Sequence, residues 1–368
     1  MAFTPSMITI YSVGLLGGSL GLALKNSGFT GKIVGLSSDK NIKTALELGC
    51  IDEGYPYREL EKVIVNTDLL ILCSPINAII RTIENLSKIK LPEGLIVTDV
   101  GSTKHQIMTT AKNLPSHVQF IGGHPMAGSE KSGPDASDPY LFQNAIYVLT
   151  PANGNPSEKE HSLADFLEKY LGCRTLFLAP DTHDKIAATV SHVPHLLAVA
   201  LVCLAQKMEA SIPGTLTLAA GGFRDMTRIA SAPYDMWHDI LVTNKTAVQN
   251  ILDSYIDTLQ QIKESLIDDS LRNCFEQAGA IRAGIPSNSK GFLKKLSEVL
   301  VLAKDQPGFI AELSSVLARN KINIKDIEVL KVREGEGGTI RLAFENQDIA
   351  RKAISLLIQN GFSARERV

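Results

Sequence analysis

Short apolar runs recur through the first half of the chain, at Ile8–Val13, Lys32–Leu36, Leu69–Cys73, Leu95–Val100 and Gln119–Ile121, and each reads as a buried strand. Amphipathic stretches such as Ser19–Ser27 and Ile42–Leu48 lie between them and predict helices. Strand–helix alternation at this pace predicts an α/β fold: a largely parallel, Rossmann-type sheet with helices on both faces. A helix at Glu158–Tyr170 and a strand at Thr175–Leu178 complete this region, assigned to residues 1–179.

From Pro180 the pattern changes. Asp181 to Ile285 carries long helical periodicities (Ile186–Met208, Tyr234–Leu266, Asp268–Ala283) and no convincing strand. An all-helical second domain, residues 180–285, is expected. Its apolar surface exceeds what one helix pair covers, so a homodimer through this domain is expected too. Gly284–Lys295 mixes Pro, Gly, Ser and Lys as a linker does, and the linker is set at 286–297. In residues 298–368 the runs Glu298–Lys304, Asn323–Val332, Thr339–Phe344 and Phe362–Arg367 read as strands. Helical faces fall at Pro307–Arg319 and around Ile349–Leu357. The order βαββαβ predicts a ferredoxin-like unit.

A length of 368 residues requires more than one core. The net charge of −2, with no basic run, points away from nucleic acid. The apolar run Leu196–Leu204 falls short of the roughly 20 residues that span a bilayer, and Met1–Met7 has no basic signal-peptide region. Five cysteines, widely spaced and without a CxxC pair, read as reduced thiols of a cytoplasmic protein.

Candidate chemistry begins after the first strand, in S-V-G-L-L-G-G-S. The dinucleotide fingerprint GxGxxG places glycines at a tight turn, at the approach to the pyrophosphate and at the helix–strand contact. Ser12 holds the first position here, with Gly14 and Gly17 at the other two. Leu15 and Leu16 open a helix whose free N–H groups and partial positive charge suit phosphates. A Gly-rich packing turn would show the same letters. The second strand ends on Ser37 and Ser38, followed by Asp39 and Lys40, with no carboxylate where the NAD ribose hydroxyl is usually bound. Two hydroxyls and a lysine suit NADP as well as NAD, although a Ser-rich turn is an equal reading. Ser74, after the third apolar run, joins the candidate cofactor set.

Three further motifs are DVGSTK (Asp99–Lys104), GGHPMAGSEKSG (Gly122–Gly133), and SHVPH (Ser191–His195) with GGFRDMTRIASAPYDMW (Gly221–Trp237). Together with GLLGGSLGLAL they closely resemble the prephenate/arogenate dehydrogenase family over about residues 8 to 285. The tail, with DQPGFIAELSSVLARNKINI (Asp305–Ile324), resembles an ACT domain. Ser12 in place of a glycine is the main departure from the family pattern.

The resemblance implies oxidative decarboxylation of prephenate or arogenate with NAD or NADP. Such a reaction needs a proton acceptor, a cation for the carboxylate and a positioned nicotinamide. His124, in the HPMAG motif, is implied as the acceptor, and an imidazole suits that role at pH 7. Ser102 is implied to hold the substrate hydroxyl or orient His124, unless it only caps a helix. Lys104 is expected to support its loop. Arg228 is implied as the carboxylate clamp, with Asp225 three residues earlier on a helix to hold it. Arg224, Gly221, His195 and Ser191 are implied on the substrate side, with Trp237 walling the pocket. His192 and His195, with His183 or Asp184, could alternatively hold a metal. Tyrosine is the implied ligand of the ACT domain, in the region Asp305–Gly308, giving feedback control; a purely dimerising domain is the alternative. Two other readings are a related dehydrogenase acting on a β-hydroxy acid or imine, and a non-catalytic amino-acid sensor. Prephenate is the expected substrate.

Overall fold

The computed structural model describes residues 3–128, 131–152, 155–267, 269–284, 296–303, 306–333 and 337–367. The chain divides into two compact units, Met1–Glu264 and Ser265–Val368.

The first unit opens with β1 (Met7–Tyr11), α1 (Leu15–Asn26), β2 (Lys32–Ser37), α2 (Asp39–Glu47), β3 (Glu53–Pro56), α3 (Leu60–Ile64) and β4 (Leu69–Leu72). It continues with α4 (Ile76–Leu86), β5 (Ile96–Asp99), α5 (His105–Ala111), β6 (Gln119–Pro125), β7 (Ile146–Thr150), α6 (Glu158–Leu171) and β8 (Arg174–Phe177). The eight strands form one sheet in the order β3-β2-β1-β4-β5-β6-β7-β8. Neighbours are parallel except β6 and β7, which run antiparallel. Alternation along the strands builds two cores. Ile8, Ile10, Ile33, Leu69 and Ile71 pack toward α1 and α6. Val34, Leu36, Leu70, Leu72 and Val97 pack toward α3, α4 and α5. Strand order reverses between β1 and β4, the switch point where such sheets place their ligand crevice.

Two strands were not foreseen. β3 is a four-residue, half-buried edge strand containing Gly54 and Pro56, a composition that carries no strand pattern but is tolerated at a sheet edge. β7 is apolar, but no helix leads into it, so the strand–helix rhythm that marked the others is missing. β6 also runs four residues beyond its expected end, through Gly122, Gly123, His124 and Pro125. A Cβ on Gly122 would lie 2.2 Å from Thr150 Oγ1, and one on Gly123 2.4 Å from the Asp99 carbonyl oxygen. These glycines therefore serve close strand packing rather than a loop.

The helical part follows as α7 (Pro180–Ala187), a π turn at Ala188–His192, α8 (Val193–Ser211), α9 (Gly221–Thr227), a 3-10 turn at Arg228–Ser231, α10 (Tyr234–Thr243) and α11 (Lys245–Glu264). The expected helix Tyr234–Leu266 is interrupted at Asn244, which has φ −115° and caps α10. Asn244 is buried and donates to the Asp184 carbonyl oxygen, a tertiary bond that local periodicity does not report. The π turn sits just before Pro194, whose ring would collide with the carbonyl four residues back in a regular helix. Pro180–Ser211 is long and apolar enough by length and composition to cross a membrane, with a mean hydropathy of 1.8 in its most apolar window, 33% of it buried. That stretch is longer than the apolar run seen in sequence. Its first half carries Asp181, His183, Asp184, Lys185, His192 and His195.

The second unit holds α12 (Ser270–Gly284) and then β9 (Ser297–Ala303), α13 (Phe309–Arg319), β10 (Asp326–Arg333), β11 (Gly337–Phe344), α14 (Gln347–Gln359) and β12 (Ala364–Glu366). The four strands form an antiparallel sheet in the order β10-β11-β9-β12. Leu313, Leu317, Ala353 and Leu357 of the two helices pack on Val299, Val301, Ile340 and Leu342. The βαββαβ order agrees with expectation. Most of the linker and Asp305 lie outside the described residues.

Candidate active site

The crevice at the carboxyl ends of β1, β2, β4, β5 and β6 gathers most of the sequence-predicted residues. Ser12 follows β1 with φ 78°, the left-handed conformation for which glycine is usually chosen. Serine there keeps the turn and adds a hydroxyl, which accepts from Tyr57 Oη at 3.1 Å. Gly14 caps α1 in extended backbone, with no side chain on the cap and no acidic residue in the first turn. A Cβ on Gly14 would meet nothing within 4 Å, whereas one on Gly17 would lie 2.5 Å from the Ser12 carbonyl oxygen and 2.9 Å from Ile10 Cγ2. Gly17 is thus the packing glycine. Gly14, Leu15 and Leu16 leave an open helix N-terminus. A pyrophosphate fits this cradle, which is electropositive and unobstructed. Ser37 is buried, 3.5 Å from Tyr57 Oη. Ser38 is exposed and caps α2 by accepting from Asn41 N. Ser74 is half-buried after β4.

Behind the crevice, Asp99 and Lys104 form a fully buried ion pair. Asp99 also accepts from Gly101 N at 2.8 Å and Gly123 N at 3.0 Å, and Lys104 Nζ donates to the Gly123 carbonyl at 2.6 Å. The pair therefore locks the end of β6, one residue before His124, to the loop after β5. Burial lowers the Lys104 pKa, and Asp99 opposes that shift. Ser102 is half-buried and makes no hydrogen bond among the described residues. It does not cap α5, whose cap residue is Lys104.

His124 is half-buried at the end of β6, and its Nδ1 lies 2.8 Å from His183 Nε2. Burial first, then the neighbouring His183, Lys104 and His192, hold its pKa well below the usual imidazole range. His124 is therefore a neutral base at pH 7. His183 is buried, with Nδ1 2.8 Å from Asp184 Oδ1. Burial likewise pushes His192 down to about 4. Asn244 Nδ2 donates to the Asp184 carbonyl at 2.8 Å, which fixes the amide, so at 3.2 Å it also donates to His192 Nδ1. His192 consequently carries its ring proton on Nε2. His195 stacks on Trp237 at 3.7 Å and 12°, joining α8 to α10.

The matching families tile the chain in this order. "Prephenate dehydrogenase, nucleotide-binding domain" matches residues 20–175, "Prephenate dehydrogenase, dimerization domain" residues 179–277, and "ACT domain" residues 297–356. Prephenate dehydrogenase of Bacillus subtilis is 34% identical over 94% of this chain and 94% of its own length. The chain belongs to the prephenate dehydrogenase family. Prephenate dehydrogenase of Lactococcus lactis is 33% identical over 95% of this chain and 97% of its own. Among solved structures, Aquifex aeolicus prephenate dehydrogenase in complex with hydroxyphenyl propionate and NAD+ has a TM-score of 0.68 at 32% identity, covering 77% of this chain and 98% of that one. Synechocystis arogenate dehydrogenase has a TM-score of 0.66 at 30% identity, covering 75% and 98%.

As a prephenate dehydrogenase family member, the chain is an oxidoreductase with a nucleotide-binding domain. The fold gathers Ser12, Gly14, Leu15, Leu16, Gly17, Ser37 and Ser74 at one crevice, and His124 connects through His183, Asp184 and Asn244 to His192, which with His195 contacts the Trp237 ring. Ser191 is half-buried in the π turn. Gly221, Arg224 and Arg228 are exposed on α9 and the 3-10 turn, and no hydrogen bond ties them to the histidine cluster among the described residues. The expected Asp225–Arg228 pairing does not form there, because α9 ends at Thr227 and the helical spacing is lost. Sequence reasoning gave His183 and Asp184 only a possible metal role. Among the described residues no three such groups converge on a metal site. Their adjacency in the sequence offered no signal of their line-up on His124.

Proposed function

We propose that the chain oxidises prephenate to 4-hydroxyphenylpyruvate and CO2 with NAD or NADP. The observation that carries this reading is the neutral, half-buried His124 ring at the end of β6. Gly14, Leu15, Leu16 and Gly17 would hold the pyrophosphate, Ser12 and Ser74 would flank it, and Ser37 and Ser38 would lie toward the ribose. When bound, the nicotinamide supplies a hydride acceptor. The protein supplies the proton chemistry. His124 Nε2 takes the hydroxyl proton as the ring carbon becomes a carbonyl, and loss of the ring carboxylate as CO2 then makes the ring aromatic. Ser102 orients the hydroxyl. Arg228 clamps a carboxylate, with Arg224 and Gly221 beside it. His195, Ser191 and Trp237 face the side-chain end. Without a carboxylate at the end of β2, either cofactor is accommodated.

The domains implied are 1–179 for cofactor, 180–285 for substrate and dimerisation, and 298–368 for regulation. Leu204 and Met208 are exposed on one side of α8, with Ile212 exposed at its end, which supports a homodimer over this surface. The ACT unit supports tyrosine as a feedback ligand near Gly308, whose φ of 89° caps α13. The described cysteines are all free, in keeping with the cytoplasm. Arogenate is the second reading, favoured by the Synechocystis structure.

Initial rates of cofactor reduction, crossing prephenate and arogenate with NAD and NADP, test the assignment. Turnover with prephenate supports it. Turnover only with arogenate selects the second reading, and none with either refutes both.

A further inference from the structure

We propose that His183 and Asp184 are positioning residues for His124: Asp184 fixes the tautomer of His183, and His183 holds His124 with its proton on Nδ1 and its lone pair on Nε2. The inference rests on the reading of His124 as the proton acceptor.

The assignment follows from donors and acceptors once His183 is given a single ring proton. Asp184 Oδ1 accepts from Lys104 N at 2.7 Å and Oδ2 from His105 N at 2.9 Å. Both oxygens therefore act as acceptors toward the backbone. His183 Nδ1, 2.8 Å from Oδ1, must then be the N–H donor. With its single ring proton on Nδ1, the state the proposal assigns it, His183 presents Nε2 as a bare acceptor. His124 Nδ1, 2.8 Å from that nitrogen, can bond to it only by donating. The single proton of neutral His124 is thereby placed on Nδ1, and Nε2 is the free base.

The line is anchored at each end. Asp184 and His183 are 3% and 2% exposed on α7, and Asp184 ties α7 to the first residues of α5. His124 is held at the other end by the Asp99–Lys104 pair through Gly123. Without His183, His124 could carry its proton on Nε2, the wrong nitrogen for accepting one. Tautomer control of this kind needs no proton to travel to Asp184.

Nitrogen-15 NMR of histidine-labelled protein reads the tautomer directly, with His124→Asn identifying the signal. The expected result is a neutral His124 with Nδ1 protonated. In His183→Leu, which offers no acceptor, that tautomer is lost and kcat falls at least about tenfold, up to the roughly 10²–10⁴-fold a general base contributes, while KM stays near the parent value. His183→Gln offers a carbonyl to His124 and an N–H to Asp184, and restores both signals. A parent His124 protonated on Nε2 overturns the proposal, even if His183→Leu does not fold. So does a folded His183→Leu with unchanged tautomer and kcat. Retained turnover in His124→Asn would instead sink the proton-acceptor reading, and the tautomer result would stand apart from it.

Discussion

Gly14 and Gly17 are three residues apart in one motif, yet the structure assigns them opposite sensitivities to a single methyl group. Gly14→Ala adds a Cβ with no protein atom within 4 Å, on extended backbone that any residue adopts. Alanine is a poorer N-cap than glycine, but it restricts the unfolded chain, so the stability change stays within about 1 kcal/mol. The same Cβ stands at the open mouth of the α1 N-terminus, where a pyrophosphate oxygen would approach. Losing one backbone N–H contact to a charged oxygen costs about 1.5–3 kcal/mol, or roughly 10- to 100-fold in cofactor Kd. Gly17→Ala instead drives its Cβ to 2.5 Å from backbone oxygen and 2.9 Å from Ile10. Overpacking of this kind costs about 1–3 kcal/mol, a Tm drop of roughly 2–12 °C. Calorimetric cofactor titration and thermal melting of both variants separate the two effects. A Gly14→Ala protein that binds cofactor like its parent would refute the placement of the pyrophosphate at that helix end.

Other outcomes follow from buried charge and ring contacts. Lys104→Met leaves the buried Asp99 carboxylate with only two backbone donors, and stability should fall by about 3–5 kcal/mol; a melt displaced no more than by a surface substitution would contradict this. His192, held at about 4 against an unfolded value near 6.5, binds fewer protons folded than unfolded in that window. Its contribution is constant above pH 6.5 and about 3 kcal/mol is lost as pH falls to 4, at about 1.4 kcal/mol per pKa unit; urea melts across that range in parent and His192→Asn should diverge. His124, lowered by burial and by His183, Lys104 and His192, should give kcat/KM an acid limb below the ordinary imidazole range, and a limb at or above 6.5 would contradict its environment. Trp237 is the sole tryptophan and stacks on His195, whose pKa burial lowers. Its fluorescence should therefore change as pH falls through the depressed His195 value, and lose that step in His195→Asn.

The parallel sheet was legible because Ile8, Ile10, Leu69 and Ile71 alternate with residues of the other face, so both cores are written into short apolar runs. The βαββαβ unit was legible for the same reason. β3 was not, since Glu53–Pro56 owes its place to an open edge beside β2. The candidate site was legible where chemistry and motif coincide, since Gly14, Gly17 and His124 all come to the ends of β1 and β6. What could not be read was the set of contacts that cross between elements. Asp184 reaches from α7 to the backbone of Lys104 and His105, Asn244 ends α10 by bonding across to Asp184 and His192, and Lys104 turns inward to clamp Gly123. Ser12 could be seen to break the glycine pattern, but its left-handed φ shows that the turn survives the exchange.

The central claim is that His124 accepts the substrate proton in a prephenate dehydrogenase. Steady-state rates for purified His124→Asn with prephenate and cofactor, alongside its Tm and cofactor Kd, test it most directly. The account predicts kcat lower by roughly 10²–10⁴-fold, with Tm and cofactor Kd near parent values. A folded His124→Asn protein that turns over prephenate at the parent rate would contradict it.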